Sequence, residues 1–316
     1  MNARSGPVSV EPATAAAAAD APPAAGAAEP SAASWAGRPD VETVVGLEGG
    51  TTRGELLRSL RELVRRRDLL FVVAWREIKV KYKQSVMGFA WAVLMPALIV
   101  MAGVLVKYAF ASISGSRLRT DDVVSVAVRS VPWAFFVASI RFASTSLISN
   151  SNLVTKIYMP RMIFPVASVL SQLADLGVAT VVLALLLVVA GVGVGAQILW
   201  VPVLLVPLVL LVAGLGIFLS AAGLFFRDVK YIVEVIITFA IFFTPVFYDV
   251  SMFGAWAGVL MLNPVAPILE GIAAAVLSKP MPSAGWLGYS AGVAVVGLVA
   301  AVAFFKRVEP YFAESV

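Results

Sequence analysis

Apolar runs long enough to cross a lipid bilayer dominate the chain from residue 86 onward. They fall at about residues 86–106, 131–149, 163–189, 198–224, 231–248 and 286–305. A helix needs about 20 mostly apolar residues to cross a hydrocarbon core of about 30 Å. The pattern therefore predicts an all-α polytopic membrane protein with six transmembrane helices.

A basic and amphipathic stretch precedes the first of these runs. One face of the predicted helix over residues 68–83 carries four apolar side chains at helical spacing, namely Phe71, Trp75, Ile78 and Tyr82. Arg76 and Lys79 lie on a different face. An apolar face with tryptophan beside lysine and arginine is typical of a helix in the plane of the membrane interface. Residues 51–85 are therefore predicted to form amphipathic interfacial helices, although a basic segment that only orients the first span would show the same charges.

A second unusual stretch lies between the fifth and sixth predicted spans. Residues 252–277 are apolar but interrupted by Asn263, Pro264 and Pro267. Each half is too short to cross a bilayer, and proline lacks the backbone donor that a continuous helix requires. This predicts a re-entrant pair of short helices that turns back at these three residues. An ordinary surface loop with two interfacial helices is the alternative.

The distribution of polar residues predicts the domain organisation and the topology. Residues 1–50 are rich in alanine, proline, glycine and serine and are predicted to be a disordered cytoplasmic tail. The six-span domain follows the interfacial helices and takes up residues 86–316. Lysines and arginines near the span ends number twelve on one side and five on the other, which predicts that both termini are cytoplasmic.

Composition excludes several kinds of chemistry. The chain has no cysteine and no histidine, so disulfides, Cys/His zinc sites and histidine acid–base catalysis are excluded. Only 14% of residues are charged, against about 25% in soluble domains, and the basic ones lie beside apolar runs. That placement suits membrane lipids rather than nucleic acid. No glycine-rich phosphate loop is present, so any ATP and magnesium must be bound by another chain, and no cofactor or metal is expected on this one.

Ionisable residues inside predicted spans are candidates for lining a transport path. Arg141, Asp175 and Glu234 are such residues, and groups of this kind usually face a bundle interior or water. A structural ion pair, or a side chain that reaches the interface, would explain them equally. Aromatic side chains near them could pack on sugar rings, although most aromatic residues in spans face lipid or other helices. The candidate path residues are Phe135, Arg141, Phe142, Asp175, Phe243 and Tyr248.

The loop between the second and third spans is a candidate docking element. Residues 150–161 (NSNLVTKIYMPR) are short, polar and basic, and a short helix after an asparagine or serine cap is expected there. A plain connector is the alternative. The candidate coupling residues are Arg76, Lys79, Asn150, Asn152, Lys156 and Arg161.

At these residues the sequence resembles a known family, the permease subunits of ABC exporters for bacterial surface polysaccharides such as O-antigen, teichoic acid, capsule and galactan. The matching stretches are RRDLLFVVAWREIKVKYKQSVMGFAWAVLMPAL (66–98), SNSNLVTKIYMPRMIFPV (149–166), FFRDVKYIVEV (225–235), FFTPVFYD (242–249) and NPVAPILEG (263–271). These stretches stand in the family's order. The resemblance as a whole covers the chain from about residue 55 to the C-terminus.

The resemblance implies a homodimer in the bacterial cytoplasmic membrane with one cytoplasmic ABC ATPase on each subunit. A lipid-linked polysaccharide would pass between the two permeases. The loop 150–161 would hold the helix that couples to the ATPase, and residues 252–277 would form the outer gate.

Two other functions remain open at the level of sequence. A type-2 ABC exporter of a small lipid or drug would share the six-span plan. A membrane-embedded polyprenyl-phosphate sugar transferase would need clustered aspartate or histidine at a membrane face, and the chain has no histidine.

Overall fold

The computed structural model describes residues 65–83, 87–88, 90–115, 117–156, 159–193 and 195–312, together with residues 61 and 63. The regular secondary structure of these residues is entirely helical. The predicted tail at residues 1–50 and the predicted helix before residue 61 lie outside the described residues.

Ten α-helices are present in the described part of the chain. They are α1 (Arg67–Lys83), α2 (Ala90–Ser114), α3 (Thr120–Ser149), α4 (Ser151–Lys156), α5 (Ile163–Val189), α6 (Trp200–Phe225), α7 (Val229–Ala240), α8 (Ala257–Met261), α9 (Val265–Val276) and α10 (Ala284–Val308). Short 3-10 helices occupy Ala196–Leu199, Ile241–Phe243, Val250–Trp256 and Glu309–Tyr311.

Five of the described helical segments are long and apolar enough to cross a membrane. They contain α2, α3, α5, α6 and α10 and are 24 to 30 residues long. In four of them no more than 28% of the most apolar 18-residue stretch is buried inside the protein. Their outer faces are therefore free to contact lipid. The prediction of an all-helical membrane protein is confirmed.

Helix α3 is the centre around which the others pack. In its most apolar 18-residue stretch 67% of the residues are buried. Helices α2, α5, α6, α7 and α9 all contact α3. Trp133, Phe135 and Leu147 are almost completely buried along its length. The helix begins at Thr120, eleven residues before the predicted start of the span, and passes through Pro132 without ending.

The fifth predicted span, at residues 231–248, is not one continuous helix. Helix α7 ends at Ala240, and a 3-10 turn carries the chain only as far as Phe243. Thr244 then has extended dihedral angles (φ −119°, ψ 135°), because the ring of Pro245 disfavours helical geometry in the residue before it. The prediction of one helix over residues 231–248 was correct as far as Ala240 and wrong beyond Phe243.

Helix α1 packs on α5. Val73 and Ala74 are buried against the core, while Phe71 and Trp75 are exposed. Gly88, between α1 and α2, has φ +50°, a left-handed conformation that glycine adopts without strain.

Helices α6 and α10 approach each other at small residues. A Cβ atom added to Gly214 would lie 2.9 Å from the Cα atom of Leu298, so the two backbones are as close as glycine allows. Small residues permit this kind of contact between helices in a membrane, where van der Waals packing drives association.

Candidate functional site

Four of the predicted path residues line one cavity of about 260 Å³ beside α3. Phe135, Arg141 and Phe142 reach it from α3, and Asp175 reaches it from α5. Helix α2 and Lys81 of α1 close its other sides. The sequence had placed these four residues on a common path, and the structure brings them together.

A second cavity of about 400 Å³ continues this one toward the Ser149 end of α3. Lys81, Phe142 and Gln172 line both cavities, so together they form one groove between α1, α3 and α5. The second part is more polar and is lined by Arg76 and Asn150 among others. We call the two cavities the α1 groove.

Asp175 is held by residues of α1. It accepts hydrogen bonds from the ammonium group of Lys81 and the hydroxyl of Tyr82, and the Lys81 ammonium also donates to Gln172 at 3.0 Å. Asp175 therefore forms an ion pair that attaches α1 to α5. A structural ion pair was one of the explanations that the sequence left open for Asp175.

Arg141 and Glu234 form a bidentate ion pair between α3 and α7. The Nε and Nη2 atoms of Arg141 donate to the two carboxylate oxygens at 2.6 and 2.7 Å. The two side chains remain 47% and 44% exposed. Arg141 thus both lines the α1 groove and presents a charged pair on the open face between α3 and α7.

Arg76 links α1 to the predicted docking loop. Its guanidinium donates to the side-chain oxygen of Asn150, whose amide donates in turn to the backbone oxygen of Ser146 at 2.8 Å. The short helix predicted after this residue is present as α4, and Asn152 on it is exposed. Of Lys156 only the backbone, at the end of α4, is among the described atoms.

Arg161 and Lys79 have different surroundings from each other. The Nη1 atom of Arg161 donates to the backbone oxygen of Glu309 at 2.7 Å, and its guanidinium lies 5.6 Å from the ring centre of Phe312. Arg161 therefore packs on the C-terminal segment of this chain. Lys79 is exposed, with its ammonium 5.7 Å from the ring of Trp75.

Glu77 lies on the buried face of α1 beside the groove. Burial raises the pKa of its carboxyl above the usual range, although hydrogen bonds from Ser168 and Ser171 act in the opposite direction. The hydroxyl of Ser168 donates to it at 3.0 Å. A buried carboxylate on this helix is therefore held by hydroxyl groups of α5.

Phe243 and Tyr248 do not line the α1 groove. Phe243 is 69% exposed, and the ring of Tyr248 packs on Phe253 with 4.8 Å between ring centres. Their predicted place on the transport path stays a prediction, and the backbone leaves the helix between them, at Thr244.

The predicted turn at Asn263 is present between α8 and α9. The side-chain oxygen of Asn263 accepts from the backbone N–H of Val265 at 3.0 Å, and its amide donates to Thr244 at 2.9 Å. Pro264 stands at the N-cap of α9, and Pro267 lies in its first turn, where a missing N–H is tolerated. Two short helices therefore meet at these residues as predicted.

A cluster of charges at the Thr120 end of α3 was missed by sequence reasoning. Arg129, two residues before the predicted start of the second span, is only 2% exposed and binds Asp249 and Glu270. Lys107 binds Asp249 and Asp122 in the same place. The sequence signal that could have indicated this cluster is the position of Arg129 and Lys107, each a single charge at the edge of an apolar run.

Comparison with known proteins identifies the family. The ABC-2 type transporter description matches residues 68–277. A curated protein of Myxococcus xanthus, the O-antigen export system permease protein RfbA, is 30% identical over 270 residues, which cover 83% of this chain and all of that protein. A protein of the same name from Klebsiella pneumoniae is 28% identical over 206 residues, 64% of this chain and 77% of its own length.

The two lines of comparison agree with the helices and with the stretches that carry the resemblance. The family match begins at the start of α1 and ends after α9, so it includes the α1 groove, α4 and the turn at Asn263. The chain belongs to the ABC-2 type transporter family and is the transmembrane permease subunit of a type-2 ABC exporter, which works with an ABC ATPase.

Proposed function

We propose that the chain is the permease of an ATP-driven exporter that moves a lipid-linked surface polysaccharide across the bacterial cytoplasmic membrane. The observation that carries this proposal is the match over the whole length of a permease described as exporting O-antigen. The ABC-2 family by itself would also admit a small lipid or a drug as the cargo.

A sixth crossing of the membrane is part of the proposal. Glu234 at the start of α7 binds Arg141, and Asp249 beyond its end binds Arg129. The two arginines are twelve residues apart on α3, about 18 Å along a helix. The segment from α7 to Asp249 therefore runs beside α3 through much of the membrane, although only its first part is helical.

The proposed orientation puts the Ser149 end of α3 at the cytoplasm. The basic side chains of α1 lie at this end, as the positive-inside rule requires. Helix α1, with exposed Phe71 and Trp75, then begins at the cytoplasmic interface and runs along α5 as far as Asp175. The turn at Asn263 enters from the opposite side, and the hydroxyl of Tyr289, five residues inside α10, donates to Leu262 at 2.9 Å, which supports re-entry.

The ATPase is proposed to act on α4 and α1 together. Helix α4 projects at the Ser149 end, and Asn150 at its start is bound to Arg76 of α1. A force on α4 would therefore reach α1, and through Lys81 and Asp175 it would reach α5. This linkage explains how nucleotide binding on another chain could reshape the α1 groove.

The path for the polymer is proposed to run along α3 between two copies of the chain. The open face between α3 and α7 carries the Arg141–Glu234 pair, and a charged pair with this exposure is unfavourable against lipid. Phe142, 44% exposed on the same helix, offers an aromatic surface beside it. A watery path that binds sugar hydroxyls satisfies both groups.

Export of the native polymer in cells tests this function. A strain that lacks the chain should keep its lipid-linked polysaccharide on the cytoplasmic side, and the wild-type gene should restore the surface polymer. The Asn150→Ala variant should restore less than Asn152→Ala, because only Asn150 binds Arg76 in the described structure. Normal surface polymer in the deletion strain would refute the proposed cargo.

A further inference from the structure

Five charged side chains from four elements meet at the Thr120 end of α3. They are Lys107 of α2, Asp122 and Arg129 of α3, Asp249 before the 3-10 helix Val250–Trp256, and Glu270 of α9. We call them the outer cluster. They join the two long helices to the segment that contains the turn at Asn263.

Arg129 makes three hydrogen bonds in this cluster. Its Nη2 atom donates to Asp249 at 2.6 Å and to Glu270 at 2.7 Å, and its Nη1 atom donates to the backbone oxygen of Tyr248 at 3.1 Å. One guanidinium thereby contacts both the beginning of residues 249–276, which we call the outer segment, and the helix α9 that ends it.

Other members of the cluster reinforce the same attachment. Lys107 donates to Asp249 at 3.1 Å, and the backbone N–H of Val250 donates to Glu270 at 2.9 Å. Burial alone would raise the pKa of Asp249, but the positive charges of Arg129 and Lys107 lower it to about 2. The aspartate therefore stays ionised at any physiological pH.

In the proposed orientation the cluster lies near the outer edge of the membrane. Arg129 is twenty residues before Ser149, about 30 Å along the helix, so with Ser149 at the cytoplasmic edge it reaches the opposite edge of a core of about 30 Å. Charged contacts at such a boundary can be exchanged for water without carrying a charge through lipid. They are suited to a contact that breaks and forms again.

The residues between Val250 and α8 are lightly packed, whereas α9 is almost entirely buried. Met252 and Trp256 are 60% and 71% exposed, and Gly254 has φ +51° within the 3-10 helix. The Nε atom of Arg129 is buried and has no hydrogen-bond partner among the described residues, so the cluster is not fully satisfied. Val126 of α3 is fully buried beside Gly103 of α2, close to Phe247, which lies two residues before Asp249.

We propose that Arg129 is a positioning residue that locks the outer segment over α2 and α3 and keeps the outer end of the transport path closed between ATP cycles. The proposal rests on the proposed function for the existence and direction of that path. It assigns to Arg129 a role that acts through Asp249 and Glu270 and requires no contact with the cargo.

The absence of native cysteine allows a direct test. The Val126→Cys variant of the chain is reconstituted with its ATPase in nanodiscs. The rate at which this cysteine reacts with a hydrophilic thiol reagent is then measured. Arg129→Gln should increase the rate without ATP at least about tenfold, since a broken buried ion pair strongly favours local opening. Arg117→Gln, in the exposed connection before α3, should leave the rate unchanged.

Two further measurements distinguish a contact that opens during the ATP cycle from one that only stabilises the fold. In the chain with Arg129 intact, ATP should speed the labelling of Val126→Cys, and in Arg129→Gln it should add little. Leu147→Cys, buried at the other end of α3, should stay protected in every variant. Equal gains at both cysteines would mean general unfolding and would overturn the proposal.

Arg129→Lys keeps the charge but has one nitrogen in place of the Nη1 and Nη2 atoms that bind Tyr248 and the two carboxylates. Its labelling rate should therefore fall between those of the Arg129 chain and Arg129→Gln. If Arg129→Gln does not fold, Glu270→Gln takes its place and should change the rate in the same direction. Unchanged labelling in either folded variant would overturn the lock. The assay contains no polysaccharide, so failure of the proposed cargo in cells would leave this result unaffected.

Discussion

The Arg141–Glu234 pair offers a quantitative test of which environment faces α3 and α7. With Ser149 at the proposed cytoplasmic edge of the membrane, Arg141 lies eight residues further in, about 12 Å along the helix, which puts the pair well inside a core of about 30 Å. Glu234→Gln removes the negative charge and leaves the arginine with a neutral partner. The size of the resulting destabilisation depends on whether water or lipid receives the unpaired charge.

The two environments predict different magnitudes. Exposed ion pairs contribute about 0.2–1 kcal/mol, and hydrogen bonds to charged groups about 1.5–3 kcal/mol. For side chains 47% and 44% exposed to water, we expect Glu234→Gln to lower stability by about 1 kcal/mol. In lipid the unpaired arginine would add about 2.5–3.5 kcal/mol at the centre of a span.

A double-mutant cycle distinguishes these cases. Arg141→Gln, Glu234→Gln and the double variant are melted in lipid nanodiscs beside Glu309→Gln, which removes the carboxylate from the Lys306 pair near the end of α10. A watery face predicts single variants that melt a few degrees lower and a double variant no more stable than either. The reasoning would be refuted by a loss above about 3 kcal/mol in Glu234→Gln that Arg141→Gln largely restores, because only lipid penalises the unpaired charge so strongly.

Two other predictions concern packing and pH. Gly214→Ala should destabilise the chain by about 1–3 kcal/mol in nanodisc melting, since its Cβ would lie 2.9 Å from the backbone of Leu298. The control Gly297→Ala, whose Cβ has no neighbour within 4 Å, should be neutral or stabilising, and equal melting temperatures would contradict the close helix contact. Because the pKa of Glu77 is raised in the folded state, its contribution is present at low pH and is lost as pH rises through that pKa. Glu77→Gln should abolish the loss of hydrogen-exchange protection of α1 as pH rises above the ordinary carboxyl value of 4.5, and an unchanged pH dependence would contradict burial as its cause.

The long spans could be predicted from sequence because they depend on length and apolar composition alone. The turn at Asn263 was predictable for a similar reason, since asparagine and proline act on their own backbone. The same local rule, applied to Pro245, would have ended the predicted span at Thr244. That error came from giving apolar character more weight than the proline.

The charged contacts were not predictable from local patterns. Arg129 lies 120 residues from Asp249 and 141 residues from Glu270, and Lys81 lies 94 residues from Asp175. An arginine at the edge of an apolar run predicts a loop when its partners are unknown. The helix continues past Arg129 because those distant carboxylates neutralise its charge inside the fold.

Reconstituted transport is the most direct measurement of the central claim. The chain and its ATPase are placed in proteoliposomes with a lipid-linked polysaccharide in the membrane, and an enzyme or lectin confined to one side reports the polymer that appears there. The account predicts ATP-dependent appearance that stops when the ATPase cannot hydrolyse ATP. Active ATP hydrolysis without any movement of the polysaccharide, while a small lipid or drug is transported instead, would contradict it.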